Sequence, residues 1–380
     1  HAAERADTMA RVARASGHYP LLSGGDINLY SLFVERASRL VRQHGIVGLL
    51  TPSGIAGDLG AAKFFRSISI SGRLGALLDF ENRKTFFPDV HASLKFCAMV
   101  FGGPQRRFDA ARCAFYLHSV DQLQAPERLI PLDAADFAAV NPNTGTAPIF
   151  RSRRDAEITT RIYRTHPVLI DRSAEQEDPP GPVRVVWPVR YCTMFHMTSA
   201  SGLFRTTAWL QEQGGYRVAV NRWKCAGDDY VPLYEGKMVQ AYDHRAASVT
   251  VNPENLHRPA QPMPVTEAQH GDPEWLPEPQ YWVSLEKVRE SFPGDWAVGF
   301  KDVTAPTNVR TMIASVLPLA GFGNTLPLML PANALPTTDL TLLIANLNCL
   351  AYDYCARQKV QGQHLNWFIV EQLPLIDPQR

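Results

Sequence analysis

The 380-residue chain is poor in the features that announce several chemistries. Its six cysteines, Cys97, Cys113, Cys192, Cys225, Cys349 and Cys355, are scattered and show no Cys-x-x-Cys spacing. A disulfide framework is therefore not expected, and the thiols should be reduced and mostly buried. The eleven histidines form no His-Glu-x-x-His or related ligand spacing, so no metal site is expected. No apolar run approaches ~18 residues and no signal-peptide layout is present, which argues against a membrane partner and for a bacterial or archaeal cytoplasm. A nucleophile elbow and a paired-carboxylate arrangement are both missing, leaving hydrolase and sugar-enzyme readings without a basis. Charge of one sign is also missing. With 38 basic and 37 acidic residues the net charge is +1, which argues against a nonspecific coat on nucleic acid but leaves room for a locally basic cleft.

What is present is apolar content of 45%, enough to fill the cores of two domains or one large one. The stretch 28–54, NLYSLFVERASRLVRQHGIVGLLTPSG, organises the rest. Leu29, Phe33, Ala37, Leu40 and Val41 recur at spacings of three and four and predict one apolar helical stripe, with Glu35 and Arg39 paired on the other side. Asp26 is the expected cap and Gly45 the expected stop. Ile46 to Leu50 predicts a short buried strand of the kind found in parallel sheets, opening into Thr51-Pro52-Ser53-Gly54 at its carboxyl end, where open α/β sheets place ligands. A helix over 59–69, strands over 74–80 and 93–101, and helical crossovers between them point to an α/β, doubly wound sheet. The first twenty residues predict a short amphipathic helix. A chain that starts at His1 reads as a piece of something longer.

Downstream, Asn141 to Phe150 has turn chemistry throughout, and 151–164 predicts a helix with Asp155 and Glu157 near its start. Six arginines lie between 151 and 172 against three acids, a local excess that either tracks a phosphate backbone or forms a solvated helix face. The acidic, Pro-rich segment 173–188 reads as an exposed linker and a domain boundary, and 252–280 as a long surface excursion. Expected domains are 1–103, a connecting region 104–172, and 173–380.

The combined order of NLY helix, Thr-Pro strand end, Phe86-Phe87-Pro88, the string NPNTGTAPIFRSRRDAEIT, PLYEGKMVQAYDHR at 232–245, the turn from Val303 to Asn308 and the ending KVQGQHLNWFIVEQLP resembles adenine-specific DNA methyltransferases. It looks most like the fused restriction-modification enzymes in which methyltransferase and target-recognition domains share one chain. The resemblance implies the second half of a Rossmann-like class I methyltransferase sheet followed by an α+β target-recognition domain that binds double-stranded DNA. It implies that Phe87 stacks on a flipped adenine, the base being out of reach inside a duplex. It also implies DNA contacts from Arg151, Arg153, Arg154, Lys237, Arg245, Asn308, Arg310, His364 and Asn366; for Arg310, a structural network with Lys301 and Asp302 is the competing reading. Within 296–327 a strand, a polar turn, a helix and a Gly-rich bend are expected, and within 340–358 one helix.

Two signatures of that family are missing. No Gly-rich strand-loop-helix for S-adenosylmethionine is found, and Asp178-Pro179-Pro180-Gly181 lacks the aromatic residue of the Asn/Asp-Pro-Pro-aromatic tetrapeptide. The cofactor, S-adenosylmethionine, is therefore expected to be bound mainly by an upstream portion of the same polypeptide, and the chain alone is expected not to methylate. The competing reading is a freestanding, sequence-specific DNA-binding specificity subunit without catalysis.

Overall fold

Three strands that share one end position everything described below. The computed structural model describes residues 2–24, 27–177, 179–252, 254, 260–332, 335–360 and 362–378. The chain divides into two compact units, His1–Arg184 and Val185–Arg380, each mixed α/β; several sheets and no closed barrel are found among the described residues.

The first unit carries β1 (Ile46–Pro52), β2 (Leu74–Glu81), β3 (Lys95–Gly102), β4 (Ala111–Leu117) and β5 (Ile130–Leu132), in the spatial order β1-β3-β2-β4-β5. Both β1 and β2 run antiparallel to β3, so they are parallel to each other; β4 is parallel to β2 and β5 antiparallel to β4. The expected run of parallel strands is thus interrupted. The reason is the 82–94 connection, which folds back as an extended hairpin instead of crossing over through a helix. The strand at 46–52 also differs from expectation. Among the described residues it pairs with β3 alone, and its open edge leaves Ile46 and Leu50 exposed.

The helices are α1 (Ala2–Ala15), α2 (Leu29–Leu40), α3 (Ala62–Ser69), α4 (Ala134–Val140) and α5 (Arg153–Thr165). On α2 the expected apolar stripe points outward, with Phe33 71% exposed, and the buried face carries Ser31, Val34 and Glu35. Glu35 dictates this. Its carboxylate is 1% exposed and accepts the backbone N–H of Leu21 and of Leu22, the latter at 2.8 Å, while Arg39 lies 3.6 Å away. The helix ends at Leu40, ahead of Gly45, and Asp26 falls outside the described residues. Packing on the sheet comes instead from α3, where Phe64, Phe65 and Ile68 are fully buried. The rings of Phe64 and Phe101 meet edge to face at 5.8 Å, as do those of Phe65 and Phe137 at 5.9 Å.

Residues 104–172 are part of this body. β4 and β5 extend its sheet, and the segment 141–150 is a buried loop: Ala147 N–H donates to Ala56, Ser69 Oγ to Gly145, and Arg66 to Pro142. Asn143 spans to Ile170 and Arg172 with both ends of its amide. Gly145 turns the loop at φ +62°, a left-handed conformation that disfavours a Cβ.

The second unit holds an antiparallel sheet of Ala314–Pro318, Trp296–Phe300, Leu328–Pro331 and Val189–Cys192. A second sheet joins Trp282–Ser284, Asp228–Tyr234, Arg222–Cys225 and Tyr216–Ala219, with Gly321–Phe322 parallel to the end of Asp228–Tyr234. Ala314–Pro318 is a strand where a helix was expected, because it pairs antiparallel along its whole length with Trp296–Phe300. The helix expected over 340–358 is two, Thr337–Asn348 and Leu350–Arg357, broken at Cys349, whose Sγ caps the second by accepting Tyr352 N–H. Within the 252–280 excursion, Ala260–Pro264 pairs with Ala247–Val251 and Glu267–Gly271 is a helical turn, while residues 253 and 255–259 lie outside the described set.

Asp353 ties the 303–312 loop to Leu350–Arg357. One of its carboxylate oxygens accepts the N–H groups of Thr311 at 2.7 Å and Met312 at 2.8 Å, and the other accepts from Arg357 at 3.0 Å. A pH dependence resides in the same unit. Burial pulls His244 below the ordinary histidine value, so the fold favours the neutral ring. Below about pH 6.5 the unfolded chain binds the extra proton first, and stability falls as pH drops through the lowered value. His244→Gln should flatten the acid slope of the urea midpoint between about pH 7 and 5; an unchanged slope would place the dependence elsewhere.

Candidate functional site: a pocket at the strand ends

Because β1 and β2 are parallel and β3 runs against both, the carboxyl ends of the first two meet the amino end of the third. A cavity of about 350 Å³ opens there. Leu50, Thr51 and Pro52 form one wall, Lys95 and Phe96 the floor, and Phe87, Val90 and Leu94 from the 82–94 hairpin the other wall. Its lining is apolar and its size suits a flat ring.

Phe87 is held at the rim by Asn82, which is 1% exposed. The Asn82 side chain accepts Phe87 N–H at 2.9 Å and donates to the carbonyls of Phe87 at 2.8 Å and Val90 at 2.9 Å. The turn that makes this reach possible puts Arg83 and Lys84 at φ +46° and +60°, strain that the Asn82 bonds offset. Phe86 turns inward against Phe80 and Phe96, while Phe87 stands edge-on to Phe96 at 5.2 Å and stays 44% exposed. Of the two neighbouring phenylalanines, Phe87 therefore has a free face.

Behind the Thr51–Gly54 wall lies a buried polar cluster. Ser53 Oγ donates to Asp79, and Thr51 Oγ1 bonds Cys97 Sγ at 3.4 Å, a thiol that burial pushes up to about 12. Burial also raises the Asp79 carboxyl, with the Lys95 charge pulling it back, and lowers the Lys95 ammonium. The ammonium sits 4.1 Å from the centre of the Tyr116 ring, over which Arg151 also lies, at 5.3 Å. Tyr116 adopts φ +53° where the β2–β4 register slips, so a bulge aims it at the cluster. A carboxylate fixing the loop after β1 makes that wall rigid. A Cβ at Gly54 would collide with Asp58, which keeps the turn tight.

The sequence-derived site residues fall in different places. Phe87 lies at the pocket and Arg151 beside it over Tyr116. Arg153 and Arg154 open α5, and Arg154 pairs with Glu157 at 3.3 Å. In the second unit, Lys237 lies 3.0 Å from Glu235 and donates to Ala260, and Arg245 clips the carbonyls of His270, Asp272 and Trp275. Asn308 donates to Thr304, Arg310 to the carbonyl of Asn348, and His364 pairs with Asp302; Asn366 precedes the Trp367–Val370 turn. The backbone pairs 302–304 with 363–365, bringing His364 and Asn366 beside the Val303 loop. Tyr234, in the same 232–245 segment, is 2% exposed, because its strand lies inside the second unit's core. Sequence reasoning marked the Thr51–Gly54 loop but missed Asn82, Asp79, Lys95 and Tyr116. The one available signal was an Asn directly after the β2 strand.

No protein-family model and no curated protein matches the chain. Among solved structures it is similar to the type IIG restriction endonuclease BpuSI, at 11% identity and a TM-score of 0.34, over 100% of this chain and 45% of that one. It is also similar to DrdV in a complex with DNA, at 10% identity and a TM-score of 0.35, over 84% of this chain and 33% of that one. The chain thus spans less than half the length of either.

Proposed function

We propose that the chain forms the base pocket and the recognition portion of an adenine-specific DNA methyltransferase within a restriction-modification or phage-defence enzyme. The observation that carries this is the apolar cavity at the strand ends with the free face of Phe87 at its rim. A methyl acceptor inside duplex DNA is unreachable, so the base must leave the stack and be held by flat apolar contacts. The pocket offers those contacts. Its rigid wall, pinned through Ser53 and Asp79, and its hairpin, pinned through Asn82, would hold the ring without rearrangement.

The same pocket does not suit S-adenosylmethionine. The side-chain amide of Asn82 is committed to its own loop, Thr51 to Cys97 and the Lys95 ammonium to the Tyr116 ring, and the apolar remainder has nothing for ribose hydroxyls or an amino-acid end. In this reading the methyl donor belongs to an upstream portion of the same polypeptide. The open edge of β1 and the outward stripe of α2 are the surfaces such a portion would extend.

The test is transfer of labelled methyl groups to mixed-sequence duplex DNA by this chain and by an upstream-extended one. Transfer by the extended chain alone supports the proposal, and transfer by neither favours a freestanding DNA-binding subunit. In the extended enzyme, Phe87→Ala should reduce transfer by about 5- to 150-fold while duplex binding stays near normal, since stacking on one base is worth about 1–3 kcal/mol. An equal loss of binding and transfer would make Phe87 structural.

A further inference from the structure

We infer that the groove between β5, α4 and α5 is a track for the phosphodiester backbone of DNA, with Arg153 and Arg161 as its two contacts; this rests on the DNA reading above and names where the backbone lies. The groove encloses about 480 Å³. Its floor is Ile130, Leu132 and Ala156, and its rim is the face of α5 on which Arg153, Glu157, Arg161 and Arg164 recur at helical spacing.

The pairing of charges along that rim decides the matter. Glu157 lies 3.3 Å from Arg154, and Asp136 lies 3.6 Å from Arg164 while also closing a capping box with Asp133. Both acids of the groove are thereby neutralised. Arg153 and Arg161 are left exposed, with no side-chain partner among the described residues. On a chain of net charge +1, two unpaired guanidinium groups bordering one groove are a local excess that the whole composition conceals. Eight residues of helix place them about 12 Å apart, far enough to reach two separate phosphates of one strand. Each guanidinium presents a planar fork matched to phosphate oxygens, and the apolar floor strengthens the attraction by displacing water.

The experiment uses the full chain and a labelled mixed-sequence duplex, with anisotropy read across a salt series. Arg153→Ala/Arg161→Ala should weaken binding about tenfold and lower the slope of log affinity against log salt by about two, one per phosphate released. Lys287→Ala/Arg289→Ala removes the same charge from cations outside the groove that face Glu290 and Asp295, and should change the slope by less than one. A wild-type slope in the first variant, or an equal loss in the second, overturns the inference while leaving DNA binding intact. No binding by the wild-type chain at low salt would instead remove the DNA reading itself.

Discussion

Asp353→Ala should lower the stability of the second unit by about 3–5 kcal/mol, the cost of stripping a buried ionic clip of one partner. The carboxylate is 4% exposed and serves three donors: two backbone N–H groups in the 303–312 loop and the Arg357 guanidinium. Removing it leaves two buried N–H groups unpaired and a cation whose remaining partners are the carbonyls of Pro306, Asn308 and Val309. Asp353→Asn keeps an acceptor for the loop and should lose less. All seven tryptophans lie between 187 and 367, so tryptophan emission reports this unit alone. The urea midpoint followed by emission should fall sharply in the alanine variant. A shift worth under about 1 kcal/mol would mean that the loop is held by packing rather than by Asp353.

Phe64→Ala should cost the first unit a similar amount, about 3–5 kcal/mol, through lost burial and the cavity left between α3 and the sheet. Phe64 is 0% exposed and its ring meets Phe101 edge to face. Since the first unit contains no tryptophan, the transition should move in far-UV circular dichroism and leave the emission midpoint in place. A coincident shift of both probes would show instead that the two units unfold as one.

Element type was legible wherever periodicity and punctuation agreed. The strands at 74–81 and 95–102 and the helix at 153–165, with its Ser152 cap, fall where the pattern puts them. The pattern misled where a buried polar group overrode it. On α2 the apolar stripe was read as the inner face, yet Glu35 faces inward because two backbone N–H groups of residues 21 and 22 need its carboxylate. A sequence window cannot see a partner fourteen residues away. Strand direction was equally hidden: the parallel reading of β3 failed because the 82–94 hairpin depends on Asn82 bonding its own loop, which no periodicity encodes. Phe87 was singled out through family likeness and lines the pocket at the strand ends, whereas the Ser53–Asp79–Lys95 cluster required three strands to be adjacent before it existed. In the second unit, Lys237 and Arg245 were DNA contacts implied by the resemblance, and each is bonded to its own backbone or side-chain neighbours.

The buried 141–150 loop has a consequence in chain length rather than chemistry. Surface loops absorb extra residues because their backbone can be solvated anywhere along its path. Here the backbone or side chains of Pro142, Asn143, Gly145 and Ala147 each meet a fixed partner on α3, on the 54–57 turn or in the 170–172 segment. One inserted residue would move every later group off its partner by about 3.5 Å, more than a hydrogen bond tolerates. The distance in residues from Phe137 to Arg153 is therefore as constrained as the side chains it contains, and an epitope tag or a new terminus placed there should abolish the unit outright.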